Sequence, residues 1–238
     1  MRYLLLCLTL SFSCYSAQTV KVVSEGWPDY TNEDFTGFYF DILRQVFPAP
    51  QWQLEIQIVP YKRAIAVIAN GEADVTPGVY KGDLKKGLYS QHVLENDLVD
   101  AAVSHKVAAN WQGISSLAGL SVVAKIGYGF DGLSDVKMKY KEKPSLKGML
   151  QMLNSGRVAA VLDYQSGIVK TQQDAGIRPN YEIKTGVLTS AIFYGFADTK
   201  NGTMLKSHFD QRIAEMIANG ELKALMVKSL GDDSRYPH

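Results

Sequence analysis

The apolar residues of this chain change period again and again, and that alternation restricts the fold more than any single motif does. Residues 20–24 form a short β-branched run, broken by Gly26-Trp27-Pro28-Asp29-Tyr30. Phe40, Leu43 and Phe47, flanked by Ile42 and Val46, then recur at helical spacing until Pro48 and Pro50. Leu54, Ile56 and Ile58 alternate with Glu55 and Gln57, the period of a half-buried strand. Pro60-Tyr61-Lys62-Arg63 opens a second helix carrying Ile65 and Ile68, Gly71 closes it, and 74–76 reads as another strand. Strand, helix, strand, helix, strand predicts an α/β layout with mostly parallel sheets flanked by helices.

A similar unit follows later. Ser145 is an N-cap candidate for a helix with Leu146, Met149, Leu150 and Leu153 on one stripe. Gly156 ends it and 158–162 is an apolar strand, so NGEADVTPG at 70–78 is echoed by SGRVAAVLD at 155–163. Between these units, 98–104 and 121–126 read as strands. Near the end 191–196 is a further strand, followed by two helices punctuated by Gly220 and Gly231.

The first 17 residues have the anatomy of a secretory signal peptide: Arg2, a short apolar run over 4–12, then small residues. That run is too short to span a bilayer comfortably, and no later stretch is long enough. The cleavage point stays open between Ser16 and Ala17, and lipid anchoring at Cys14 is the weaker alternative. Removal would take both cysteines, Cys7 and Cys14, leaving no disulfide, thiolate nucleophile or cysteine metal site. It would also take Arg2 and leave 24 basic and 24 acidic residues. Such a balance shows no basic excess for nucleic acid, and no run of basic residues is long enough to argue a local patch. The expected product is a cysteine-free periplasmic protein, neutral in charge and monomeric.

Five stretches, in order, resemble the bacterial extracellular solute-binding proteins of family 3. They are the exported start; GWPDY with GFYFDILRQVF; PYKRAIAVIANGEADV; SLAGLSVVAKIGYGF with GMLQMLNSGRVAAVLDY; and the run from FYGFADTKNG to the last helix. The resemblance implies the type II periplasmic binding fold. Lobe 1 would comprise 18–103 and 191–238, lobe 2 would comprise 104–190, and two hinge strands would join them. It also implies a small ligand held between the lobes and a partner permease or sensor in the inner membrane, with no cofactor. The family's amino-acid receptors carry an arginine before an aromatic-Ser pair. Here Tyr89-Ser90 matches the pair, while Asp83 or Lys85 falls where the arginine would be. Lysine cannot reproduce arginine's bidentate grip on a carboxylate.

Candidate ligand contacts follow from strand ends, where open α/β sheets bind. Trp27 and Tyr30 follow the first strand. Tyr61 and Arg63 open the second helix, where an arginine could substitute for the absent anchor. Thr76, Gly78 and Tyr80 follow the third strand. In the second unit the candidates are Tyr128 and Phe130 in a GYGF loop, which resembles the family's ligand-facing amides, then Asp163 and Tyr164. Asp163 stands at or beside the position where the family often meets a ligand ammonium. The four histidines show no metal-ligand spacing, and Asn201-Gly202-Thr203 reads as a turn. The expected activity is binding: capture of a small polar or amphipathic solute for a transporter. Presentation to a signalling partner, and a dehydratase-like enzyme pairing Asp163 with Lys81 or Lys85, are the alternatives.

Overall fold

The structure is a computed structural model describing residues 17–237, so the expected signal peptide, but for Ala17, and both cysteines lie outside the described residues. In chain order its strands are β1 (Gln18–Ser24), β2 (Trp52–Ile58), β3 (Val75–Val79), β4 (Leu88–Tyr89), β5 (Glu95–Ser104), β6 (Ser121–Lys125), β7 (Lys139–Lys143), β8 (Ala160–Asp163) and β9 (Tyr181–Phe196). Its helices are α1 (Phe38–Val46), α2 (Tyr61–Ala69), α3 (His105–Ala108), α4 (Leu146–Asn154), α5 (Gln165–Asp174), α6 (Lys200–Ala218) and α7 (Glu221–Leu230).

The strands run in the order β2-β1-β3-β9-β5-β8-β6-β7, with β4 on β9. Two parallel triplets stand at the ends. In one, β1 pairs with β2 and β3; in the other, β6 pairs with β7 and β8. The echo in the sequence therefore corresponds to a repeated arrangement, and its glycines match: Gly71 has φ 73° and Gly156 φ 71°. In the strand order, the antiparallel pair β5 and β9 joins the triplets. β9 is a 16-residue strand whose earlier part pairs with β5, while Phe193 and Gly195-Phe196 pair with β3. The helix-flanked α/β layout is as expected, in a mixed sheet with four parallel and four antiparallel pairings.

Local chemistry explains the elements. α1 buries Phe38, Tyr39, Phe40, Ile42, Leu43 and Val46 on its core side. Its entry depends on Gly37, at φ 117°, where a Cβ would sit 2.5 Å from the Tyr30 carbonyl oxygen. Ser145 caps α4 as expected, accepting from the Gly148 amide at 3.2 Å. The core centres on Tyr194, Phe196 and Phe209, all fully buried, with the Tyr194 and Phe209 rings 4.7 Å apart.

Five features depart from the expectation. β7 (KYKEK) lacks apolar alternation, yet it pairs along its length as an edge strand. α5 is polar and buries only Ile168, so its stripe was too thin to read. β5 begins at Glu95 and β9 at Tyr181, both earlier than the apolar runs suggest. Asn201-Gly202-Thr203 is no free turn; it lies in the first turn of α6, where Thr199 caps the Gly202 amide at 3.0 Å.

Candidate functional site

A cavity of about 330 Å³ opens where the two triplets meet β5 and β9. Trp27, Tyr30, Tyr39 and Gly78 line it from the β1–β3 side. Tyr128, Asp163, Tyr164 and Lys125 line it from the β6–β8 side. β5 contributes Glu95 and Asp97, α5 contributes Lys170 and Asp174, and the segment after α7 contributes Arg235.

The rings are held rigidly. The Trp27 indole N–H donates to the Tyr128 hydroxyl at 2.9 Å, and Tyr128 donates to Glu25 Oε2 at 3.3 Å. Tyr30 and Tyr39 lie with ring centroids 5.0 Å apart. Tyr164 donates to Asp97 Oδ2 at 3.0 Å. Burial raises the phenol pKa of Tyr39, Tyr80, Tyr128 and Tyr164, so these hydroxyls stay protonated and act as donors.

Three carboxylates facing the cavity are almost wholly buried. Glu95 Oε1 accepts from Tyr39 at 2.9 Å, but its Oε2 has no partner. Asp163 Oδ1 accepts from the Tyr164 amide at 2.8 Å, and its Oδ2 also has none. Asp97 is satisfied by Tyr80, Tyr164 and Arg235, the last at 3.4 Å. Burial pushes Glu95 to about 8, with Asp97 adding to the rise; Arg235 and Tyr39 oppose it. Burial likewise pushes Asp163 to about 7 against the pull of Lys125.

The cations around the cavity are already engaged. Lys125 pairs with Glu25 across the gap between triplets, and Lys170 pairs with Asp174 at 2.8 Å. Arg235 reaches Asp97 at 3.4 Å and Glu95 at 4.0 Å, and lies 5.7 Å above the Tyr30 ring. Its backbone oxygen accepts from the Asn96 amide at 2.7 Å, which fastens the tail to β5.

Of the candidates from sequence, Trp27, Tyr30, Gly78, Tyr128, Asp163 and Tyr164 come together at the cavity. Tyr61, Tyr80 and Phe130 stand one layer behind. Tyr61 packs on Trp27 and Tyr128 and donates to Asp83; Tyr80 bonds Asp97 and Tyr164; Phe130 packs 5.1 Å from Tyr128. Thr76 is buried in β3, and a Cβ at Gly195 of β9 would lie 3.2 Å from its methyl. Arg63 does not line the cavity; it is exposed on α2. The helix explains this. A residue two places beyond buried Tyr61 points about 200° around the axis. The arginine at the cavity is Arg235. Lys81 lies over the Phe193 ring at 4.8 Å and Lys85 is exposed, so neither pairs with Asp163. Asp83 caps its own turn, accepting from the Tyr80 amide at 2.7 Å.

Sequence reading missed Glu95, Asp97, Tyr39, Lys125 and Arg235. Glu95 and Asp97 stand two apart, on one face of β5. That acidic i, i+2 pair ahead of an apolar run was the available signal. Lys125 ends β6, a strand-end position of the kind already searched.

Gly78 sets the cavity wall directly. Its φ is 73°, and a Cβ there would fall 2.7 Å from Trp27 Cζ3. Gly78→Ala should cost about 2–3 kcal/mol from overpacking and left-handed strain. Melting of the purified variant should fall by about 5–10 °C. An unchanged melting point would mean that Trp27 is not fixed against this backbone.

The arrangement is the fold of type II periplasmic binding proteins, as the sequence resemblance implied. Solved structures with this fold cover the described chain nearly end to end. The ligand-binding core of GluR0 in complex with L-glutamate aligns with a TM-score of 0.72 and 15% identity, over 90% of this chain and 99% of that one. A substrate-binding protein of an ABC uptake transporter from Streptococcus pneumoniae, with bound histidine, gives 0.66 and 15%, over 92% and 95%. An ancestral arginine-binding protein bound to glutamine gives 0.67 and 18%, over 90% and 98%. No protein-family model matches the chain, and neither does any curated protein. Among the described residues no helix is long and apolar enough to cross a membrane.

Proposed function

We propose that the protein is a periplasmic solute receptor. Its lobes, 18–103 with 191–238 and 104–190, close on a small ligand, and the closed form docks on an inner-membrane permease. The observation that carries this reading is one cavity walled by both triplets: Trp27, Tyr30 and Gly78 face Tyr128, Asp163 and Tyr164. A ligand touching both walls favours the closed form, because only differential affinity shifts such an equilibrium. The fold shared with transport receptors supports the role by analogy. The positions of Lys81 and Lys85 weigh against the dehydratase-like alternative.

A thermal-shift screen of the purified chain against amino acids, amines, organic acids, peptides and sugars tests this. A ligand at about 100 times its dissociation constant adds about 2.7 kcal/mol, a rise of roughly 5–10 °C. One chemical class should give that rise, and the compound should be recovered unchanged by NMR. Turnover would make the protein an enzyme, and silence across the whole panel would remove the receptor reading.

A further inference from the structure

The receptor reading leaves the ligand's chemistry open, and the cavity's charges narrow it. Lys125, Lys170 and Arg235 are ion-paired with Glu25, Asp174 and the Glu95–Asp97 pair. The cavity lining sets these three cations against four acids, Glu95, Asp97, Asp163 and Asp174, and so has no cationic excess for a ligand carboxylate. Among the described residues, the buried side-chain atoms left without partners are both carboxylate oxygens, Glu95 Oε2 and Asp163 Oδ2. Glu95 is 1% exposed and Asp163 3%, and both line the cavity. A buried polar atom left unmatched costs free energy until something satisfies it, and in its ionised form each of these oxygens accepts from a donor.

Their separation follows from the register. Asp163 pairs with Asp100 on β5, five residues beyond Glu95. At about 3.3 Å per residue the backbones stand roughly 17 Å apart along β5. The register shift between Val99 and Ala101 interrupts the strict alternation of faces, and Glu95 and Asp163 both line the one cavity. Trp27, Tyr30, Tyr39, Tyr128 and Tyr164 line the same cavity, and aromatic walls suit an apolar spacer and can attract cations.

We propose that the cavity takes a linear organic dication, two ammonium nitrogens on a short alkyl spacer without a carboxylate, with one nitrogen at Glu95 and the other at Asp163. The inference rests on the receptor reading. Isothermal titration calorimetry with pentane-1,5-diamine, pentylamine, lysine and glutamine tests it. The diamine should bind at least tenfold more tightly than the monoamine and than either amino acid. Glu95→Gln and Asp163→Asn should each weaken diamine binding tenfold or more. Melting of the unliganded variants, measured at pH 8 or above, separates this from misfolding: it should hold steady or rise, since each change there replaces an ionised, buried and unpartnered carboxylate with a neutral amide. Tighter binding of lysine or glutamine than of the diamine would overturn the dication and leave the receptor standing. Diamine affinity unchanged in both variants would overturn the assigned sites. No binding by these four, with a hit elsewhere in the wider solute screen, would overturn the dication alone. No binding by any solute would remove both readings.

Discussion

Melting of the unliganded protein is expected to fall as pH rises from about 5 to about 8, and Glu95→Gln should remove about half of that slope. The folded chain holds protons at Glu95, pushed by burial to about 8, and at Asp163, pushed to about 7. The unfolded chain releases both near the ordinary carboxylate range. More protons are therefore bound in the folded state across this window, and stability drops as pH climbs. Their contribution is complete below the unfolded values and lost as pH passes through the folded ones. Each group gives at most about 1.4 kcal/mol per pH unit. A total on the order of 3 kcal/mol, or about 5–10 °C, is a reasonable scale for this chain.

The surroundings set that slope. Glu95 faces Tyr39 from α1, Tyr30 from the loop after β1, Tyr194 from β9, Asp97 on its own strand and Arg235 from the tail. Asp163 faces Lys125 from β6, Asp100 from β5, Glu25 from the loop after β1, and Tyr128 and Tyr140. Asp97 and Asp83 are raised by burial too and add in the same direction. Exposed acids held low by hydrogen bonds, such as Asp34 and Asp232, act in the opposite sense in more acidic solution. A saturating diamine should flatten the slope, because it holds both carboxylates ionised. A flat or rising profile without ligand would show that these groups ionise as freely folded as unfolded.

The same residues explain how much was legible in the sequence. Periodicity found β1 to β3, α1, α2, α4 and the last two helices, because each carries a clear apolar stripe against the core. It found the aromatic half of the cavity for a geometric reason: Trp27, Tyr30, Tyr128 and Tyr164 follow strand ends, where chain order alone places them near a sheet's carboxyl edge. The charged half was hidden. Glu95 and Asp97 open a strand whose visible pattern starts at Leu98, so their role needs the partner strand β9. Arg235 meets Asp97 across 138 positions of sequence, and no local rule carries that distance. Arg63 had the right chemistry on the wrong side of its helix, since burial of Tyr61 fixes the rotation of α2.

Lys125→Met should loosen the closed form more than it unfolds the protein. Lys125 sits on β6 and Glu25 follows β1, so their ion pair ties the two triplets together beside the Trp27–Tyr128 hydrogen bond. Their side chains are 24% and 11% exposed. Breaking such a pair from one side leaves a buried charge, which costs about 3–5 kcal/mol when no water can reach it. Partial exposure of Lys125 argues for about 2–3 kcal/mol. Unfolding is one escape from that cost. Hinge opening is a cheaper one, because it rehydrates Glu25 while each triplet keeps its core. The loss should therefore appear as roughly 30- to 150-fold weaker binding of the tightest solute, and as a larger radius of gyration without ligand by X-ray scattering. Melting should fall by much less than that free energy implies. Glu25→Gln with Lys125→Met should recover most of the affinity, since the double change leaves no uncompensated charge. Unchanged affinity with a melting loss of the full size would place the pair in the fold rather than in closure.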